Sequence, residues 1–308
     1  MLNLVARRLM VAIPTLFIII VLSFLIIKMA PGGPFDAEAE IDPEIFANLE
    51  RAYYLDRPVW EQFWRYFTNL MQGDFGQSFV FRDRSVADII VQGFPVSAQI
   101  GLWAIFIGAF GGIALGIVAA LRKNTFVDYG VMTVAMTGIA VPTFVTAPTM
   151  ALVFGLYLGL LPISGWNGGA VSNMILPIAA LALPKIGVIA RITRGGMLEV
   201  LRANYVRTAR SKGLRESIVI WRHTLRAGLT PVVSYLGPAI AGVMTGSVVI
   251  EQIFGLPGIG RSFVEGAVNR DYPVVMGITI LYATLIIIMN LVVDLSYRLL
   301  DPRVEMSK

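Results

Sequence analysis

The chain has 308 residues, 56% of them hydrophobic and 15% charged, with a mean hydropathy of +0.73. Soluble domains carry about 25% charge, so composition overrides the length, which alone would allow one or two soluble domains, and points to a membrane protein. No cysteine and one histidine, His223, exclude disulfides, thiolate catalysis, iron–sulfur clusters, Cys-based zinc sites and any cluster of histidine ligands.

Crossing a bilayer takes about 20 mostly apolar residues in a helix. The first such run is Leu9 to Ile27, behind Arg7 and Arg8 and ending at Lys28. It is longer than the apolar part of a signal peptide and lacks a small-residue cleavage pattern. Residues 1–30 therefore read as an uncleaved first span, with the arginines as an inside-positive flank.

Residues 31–96 form a polar segment with eleven acidic and five basic residues. Asp42-Pro43-Glu44 reads as N-cap, first-turn proline and dipole-matched acid, followed by Ile45, Leu49, Ala52 and Tyr53 at helical spacing. Trp60, Phe63, Trp64 and Phe67 make an aromatic stripe. It fits either a membrane surface or the packing of a small external domain; the acidity of the segment favours packing.

Five further spans are expected at Ser97–Leu121, Val131–Leu161, Met174–Ala190, Pro231–Ile253 and Val274–Leu295. The third contains Pro142 and Pro148 and should kink or divide there. In span two Gly108, Gly112 and Gly116, and in span five Gly242 and Gly246, place small faces at four-residue spacing for close helix packing within the bundle or at a subunit interface. Thr137, Ser234, Thr245 and Ser247 are polar and could line a path or bond a helix backbone. Lys185 and Asp294 are the ionisable groups within the spans, default candidates for function. Both lie near span ends, which favours snorkelling or a structural ion pair over ion coupling. Gly255 to Ser262 nearly fits a phosphate-binding loop, with Arg261 at the lysine position. It follows an apolar helix rather than a buried strand and reads as a glycine-rich turn.

Charge sets the orientation. Residues 191–230 carry nine Arg or Lys and two acidic residues, the link after span two carries Arg122 and Lys123, and Pro162–Asn173 carries no charge. Short cytoplasmic loops are enriched in Lys and Arg. Both termini, including a tail at 296–308, and the loops near 122–130 and 191–230 are expected in the cytoplasm, with 31–96 outside. The net charge of +5 is thus two opposite fields, and nothing in it requires nucleic acid.

The basic loop is the most informative region. Leu198, Leu201, Tyr205 and Ala209 read as one apolar face, with Arg202, Arg207 and Arg210 elsewhere; Gly213 is placed to end that helix in the left-handed region. Leu214, Ile218, Trp221, Leu225 and Leu229 form a second amphipathic run. Two short helices joined at a glycine would make a rigid basic knob, either an anchor for the loop or a handle for a cytosolic partner.

"YVRTARSKGL" followed by "WRHTLRAGLTP" resembles the EAA loop of ABC importer permeases in its peptide-branch form. Arg207, Thr208 and Ala209 stand at the E-A-A positions, Gly213 at the glycine, His223 and Leu225 at I-x-L, and Arg226 replaces the proline. "RRLMVAIPTLFIIIVLSFLIIKMAPGGPF", "GDFGQSF", "FPVSAQIG", "AMTGIAVPTF", "LPKIGVIARITRGGMLEVL", "VIEQIFGLPGIG" and "NRDYPVVMG" likewise resemble, in order, the B-type permeases of oligopeptide importers. The resemblance implies an all-α membrane protein with the six-helix type I importer fold. Residues 94–295 would form its transmembrane domain, with the small external domain between helices 1 and 2. It implies a bacterial inner-membrane subunit working with a homologous C-type permease, two ATPase subunits and an external peptide-binding protein. ATP and magnesium would belong to the ATPases, and this chain would hold no cofactor and catalyse nothing. Arg207, Thr208, Ala209, Gly213 and Leu214 would form the coupling contact. The alternatives are related permeases for dipeptides or nickel, a secondary transporter driven by an ion gradient, and a membrane enzyme. No internal repeat supports the second and no acid–base or metal constellation the third.

Overall fold

The computed structural model describes residues 2–30, 43–81, 83–244 and 246–300, and these are helical apart from turns and one isolated bridge between Gln77 and Ser85. The helices are α1 (Leu2–Met29), α2 (Pro43–Ala52), α3 (Val59–Met71), α4 (Val86–Leu121), α5 (Phe126–Ala140), α6 (Thr143–Met150), α7 (Val171–Leu201), α8 (Asn204–Ser211), α9 (Glu216–Ile218), α10 (Leu225–Gly228), α11 (Thr230–Met244), α12 (Val248–Ile253), α13 (Ile259–Val268) and α14 (Tyr272–Leu300). Among the described residues five helical stretches are long and apolar enough to cross a membrane, and a bent pair makes up to six. That pair is the expected third span: Phe126–Ala140 and Thr143–Tyr157 meet at 100°. The break falls at Val141-Pro142, where the proline starts the second half with no N–H to continue the first. After Pro148 the backbone widens to a π-helix over Ala151–Tyr157.

One boundary and the interior of one span differ from expectation. Span two begins at Val86, because α4 runs through Pro95 without ending. Its 36 residues span about 54 Å at 1.5 Å each, well beyond a bilayer core of about 30 Å. Span five is not one helix: α11 stops at Met244, Gly246 takes a φ of +82°, and α12 starts anew with Ser247 as N-cap. Thr245 lies outside the described residues, as do Asp42, the Leu49 side chain and residues 301–308 of the tail.

The chain divides into two compact units, residues 1–96 with 257–287 and residues 97–256 with 288–308. In the first, Ile20 and Phe24 of α1 pack with Leu70 of α3 and with Met276 and Ile280 of α14. The aromatic stripe splits here. Phe63 and Phe67 turn inward, 5.4 Å from Phe24 and Phe17 respectively in edge-to-face contacts. Trp60 and Trp64 stay 66% and 51% exposed. Half of the stripe, Phe63 and Phe67, thus packs α3 on the first span.

Also in this unit, Asp271, fully buried just before α14, holds the loop that follows α3. It accepts from the Ser78 hydroxyl, from the Phe79 and Val80 amides at 3.1 and 3.3 Å, and from the Val274 amide at 3.4 Å. Ser78 in turn accepts from the Phe81 amide at 2.7 Å. Buried donors without an acceptor cost about 1–3 kcal/mol each. Asp271→Asn, which sets an NH2 among these donors, is therefore expected to destabilise by about 2 kcal/mol. It should speed limited proteolysis between residues 74 and 85; an unchanged cleavage rate would refute the latch.

In the second unit the glycines of span two lie against α7. A Cβ on Gly108 would stand 2.7 Å from the Lys185 Cβ, on Gly112 2.7 Å from the Ile189 Cβ, and on Gly116 2.6 Å from the Ala190 carbonyl oxygen. Only glycine allows this approach. Gly242 and Gly246 of span five do not pack this way: Gly242 has open space around its Cβ position and Gly246 sits in the helix break. Thr137 and Ser234 donate to backbone carbonyls one turn back in their own helices, and Ser247 caps α12. Lys185 is half-buried, and no carboxylate pairs with it among the described residues.

Candidate functional site: the basic knob between spans four and five

The knob is built by local rules. α7 continues to Leu201, so the first third of the basic loop is helix, and the chain turns at Arg202-Ala203 before α8. Leu198 and Leu201 consequently share no helix with Tyr205 and Ala209, and the single apolar face expected across them is divided. Val206 and Ala209 point inward and close on Val219, with Val200 and Ala203 at the edge. Tyr205 points out. Small apolar residues in three successive turns make this miniature core, and it fixes α8 against the segment after α9.

Gly213 ends α8 at a φ of +72°, with its N–H donating to the Arg210 carbonyl at 2.9 Å. The chain can then reverse within four residues. Arg210 clasps Glu216 across the turn through Nε–Oε2 at 3.1 Å and Nη2–Oε1 at 2.6 Å. The guanidinium bond holds the Glu216 carboxyl below the usual carboxylate range. A depressed folded pKa contributes stability that is present above the unfolded value and lost as pH falls through the folded one. Both groups are exposed, so the clasp contributes about 0.5 kcal/mol. Amide exchange at 210–216 is expected to stay flat from pH 8 to 5, after correction for intrinsic rates, and to accelerate below about pH 4. A rise already at pH 6 would refute the assignment.

The outer surface of the knob carries Arg207, Thr208, Gly213 and Leu214, all exposed, beside Tyr205 (49% exposed), Ile218 (41%) and Trp221 (71%). Ala209 belongs to the inner cluster, so of the five expected contact residues four share the surface and one supports it from behind. A π-helical stretch over Val219–Thr224 turns Thr224 inward to bond the Val219 carbonyl at 3.1 Å and leaves Trp221 outside. The surface is basic and apolar together, suited to gripping a protein groove. His223 is half-buried, and among the described residues no three His, Asp or Glu side chains converge on a metal position.

The base of the knob is held by groups that sequence reasoning missed. Arg194, in the last turns of α7, makes a two-pronged pair with Asp128 at the start of α5: Nε–Oδ1 and Nη2–Oδ2, each 2.7 Å. Asp128 is 1% exposed and also accepts from the Asn124 amide at 2.9 Å. The one available signal was an acid three residues after a capping Thr125, in the first turn of a helix; its partner 66 residues away carried none. A second buried acid, Glu251 of α12, accepts from the Ser97 hydroxyl at 2.7 Å. The Gly255–Ser262 stretch is a turn at Gly255 (φ +61°) leading into α13, and the element before it is helix rather than strand.

Comparison with known proteins gives a consistent result. Residues 112–306 match the family described as binding-protein-dependent transport system inner membrane component, and residues 1–101 match the N-terminal family of the same membrane components. The chain is 50% identical over 305 residues to the oligopeptide transport system permease protein OppB of Escherichia coli, covering 99% of this chain and all of that one. It is 48% identical over 305 residues, with the same coverage, to OppB of Haemophilus influenzae. The dipeptide transport system permease protein DppB of Bacillus subtilis is 43% identical over 294 residues, 96% of this chain and 95% of that one. Among solved structures, a chain of the inward-facing MetNI methionine ABC transporter superposes with a TM-score of 0.58 over 69% of this chain and 96% of that chain. At 15% identity it reports on the fold alone.

Proposed function

The chain belongs to the binding-protein-dependent transport system inner membrane components, and from that premise we propose that it is a pore-forming permease subunit of an ATP-driven oligopeptide importer. Its partners are a homologous second permease, two ATPase subunits and an external peptide-binding protein. ATP and magnesium act in the ATPases; this chain is a channel component and no enzyme. The observation that carries the reading is the knob: an exposed, basic and apolar surface bearing Arg207, Thr208, Gly213 and Leu214 between α7 and α11. Oligopeptide rather than dipeptide is favoured by the higher identity to the oligopeptide relatives. The excess of Arg and Lys at 191–230 supports a cytoplasmic knob, and with six spans cytoplasmic termini. The bacterial inner membrane is the corresponding location.

In this reading nucleotide-driven movement of an ATPase reaches the knob at Arg207–Leu214. It passes through the Val206–Ala209–Val219 cluster to the base of α7 and enters the spans. The test is reconstitution. Proteoliposomes holding the two permeases and two ATPases, with the binding protein added, should take up oligopeptides when ATP is supplied. Uptake should persist when the proton gradient is collapsed. Uptake by the purified chain alone, or uptake abolished by a protonophore while ATP is held constant, would overturn the proposal.

A further inference from the structure

Within the first unit, a cavity of about 320 Å³ lies between the C-terminal end of α1, α3, the loop after it and the first turn of α14. Its floor is Phe24 and Met276, side chains of the first and last spans. Its rim is cationic and aromatic. The Lys28 ammonium stands 5.9 Å from the Phe24 ring centre and 5.7 Å from that of Tyr272, and no carboxylate pairs with it among the described residues. Arg65 lies 3.3 Å over the Tyr54 ring, and the Tyr66 hydroxyl is buried with no hydrogen-bond partner. Burial pushes the Tyr66 hydroxyl well up from its ordinary value, so it remains a proton donor. The acid in the lining, Asp74, already accepts from the Gly76 amide at 2.8 Å.

We propose that this cavity is a phospholipid site, taking the phosphodiester headgroup of an anionic lipid on Lys28, Arg65 and Tyr66, with its acyl chains leaving over Phe24 and Met276. The chemistry of the walls selects the ligand. Two cations and a protonated hydroxyl meet one negative charge. Aromatic and lysine side chains at the ends of spans sit where headgroups lie. A peptide would bring a backbone whose N–H and C=O groups need partners along its whole length, and beside Gln62 the lining supplies two carboxamides, Asn69 and Gln77. The Gln62 amide is already used on the Leu55 and Arg57 carbonyls at 3.1 and 2.6 Å, and the floor is apolar.

The test is native mass spectrometry of the assembled importer released from nanodiscs of phosphatidylglycerol. Wild type and Lys28→Arg should retain one phosphatidylglycerol in this site. Lys28→Gln should lower its retention about tenfold, the effect of losing a hydrogen bond to a charged group, and Tyr66→Phe should lower it several-fold. The same spectra report whether each variant assembles; if Lys28→Gln does not, Tyr66→Phe decides. Equal retention in Tyr66→Phe and wild type would overturn the proposal, as would equal retention in an assembled Lys28→Gln. Displacement of the lipid from wild type by millimolar inorganic phosphate would make this a free-phosphate site, and displacement by a tripeptide a peptide site; either overturns the lipid assignment.

Discussion

Gly213→Pro is expected to lower ATP-driven uptake by about tenfold or more, the consequence of about 1.4 kcal/mol lost in the coupling contact, while the spans remain folded. The native residue has a φ of +72°, and proline is confined near −65°. The substitution also deletes the N–H that donates to the Arg210 carbonyl, so α8 loses its terminator. The reversal that brings Glu216 to Arg210 would then open, and the Val206–Ala209–Val219 cluster behind the contact surface would lose its register. Gly213→Ala separates backbone from bulk. Space around its Cβ is open, so it meets only the left-handed penalty of about 1–2 kcal/mol and should retain part of the uptake. Two measurements check this: peptide uptake in proteoliposomes and co-purification of the ATPase subunits. Full uptake by the proline variant with its ATPases bound would show that the knob does not carry coupling.

That prediction rests on a position legible from sequence, because one glycine between two amphipathic runs has few other uses. The apolar runs were legible for a similar reason: about 20 residues of one character leave little ambiguity, and the proline break in the third run followed from a missing N–H. The start of α4 was not legible. Pro95 ordinarily marks a boundary, yet the helix passes through it. The four-residue glycine spacing meets a neighbouring helix of this chain in span two, whereas in span five the Cβ position of Gly242 meets none. Spacing assumes a continuous helix, and Gly246 with φ +82° lies in the break after α11 ends at Met244.

Partners distant in the chain were least legible. "GDFGQSF" and "NRDYPVVMG" stood out separately, and only the structure brings Ser78 of one to Asp271 of the other across 193 positions. Within the knob, hydrophobicity marked both Tyr205 and Ala209 as one face. The turn at residues 202–203 separates both from Leu198 and Leu201, and packing on Val219 takes Ala209 inside while Tyr205 stays outside, a distinction that the sequence pattern alone does not carry.

Asp128→Ala is expected to destabilise the protein by about 3–5 kcal/mol, nearer the lower figure because Arg194 keeps 28% of its side chain exposed. In counting charge for orientation, Arg194 is one of nine basic residues in a loop; in the structure it is half of a buried pair. Asp128 accepts three hydrogen bonds, two of them from the guanidinium fork. Its removal leaves the fork desolvated with no anion opposite. Arg194→Lys should be damaging too, since a point charge cannot span both carboxylate oxygens. The diagnostic variant is the double substitution Asp128→Leu with Arg194→Met. Replacing both charges by apolar side chains is often neutral, whereas removing one is not, so the double variant should recover most of what Asp128→Ala loses. In detergent, the single change should lower the thermal midpoint by about 5–10 °C. An unchanged midpoint would mean that the pair contributes nothing to stability. A double variant that is stable yet transports poorly would place the pair in the path of force from the knob to α5. Stability and transport both restored would confine its role to holding α5 on α7.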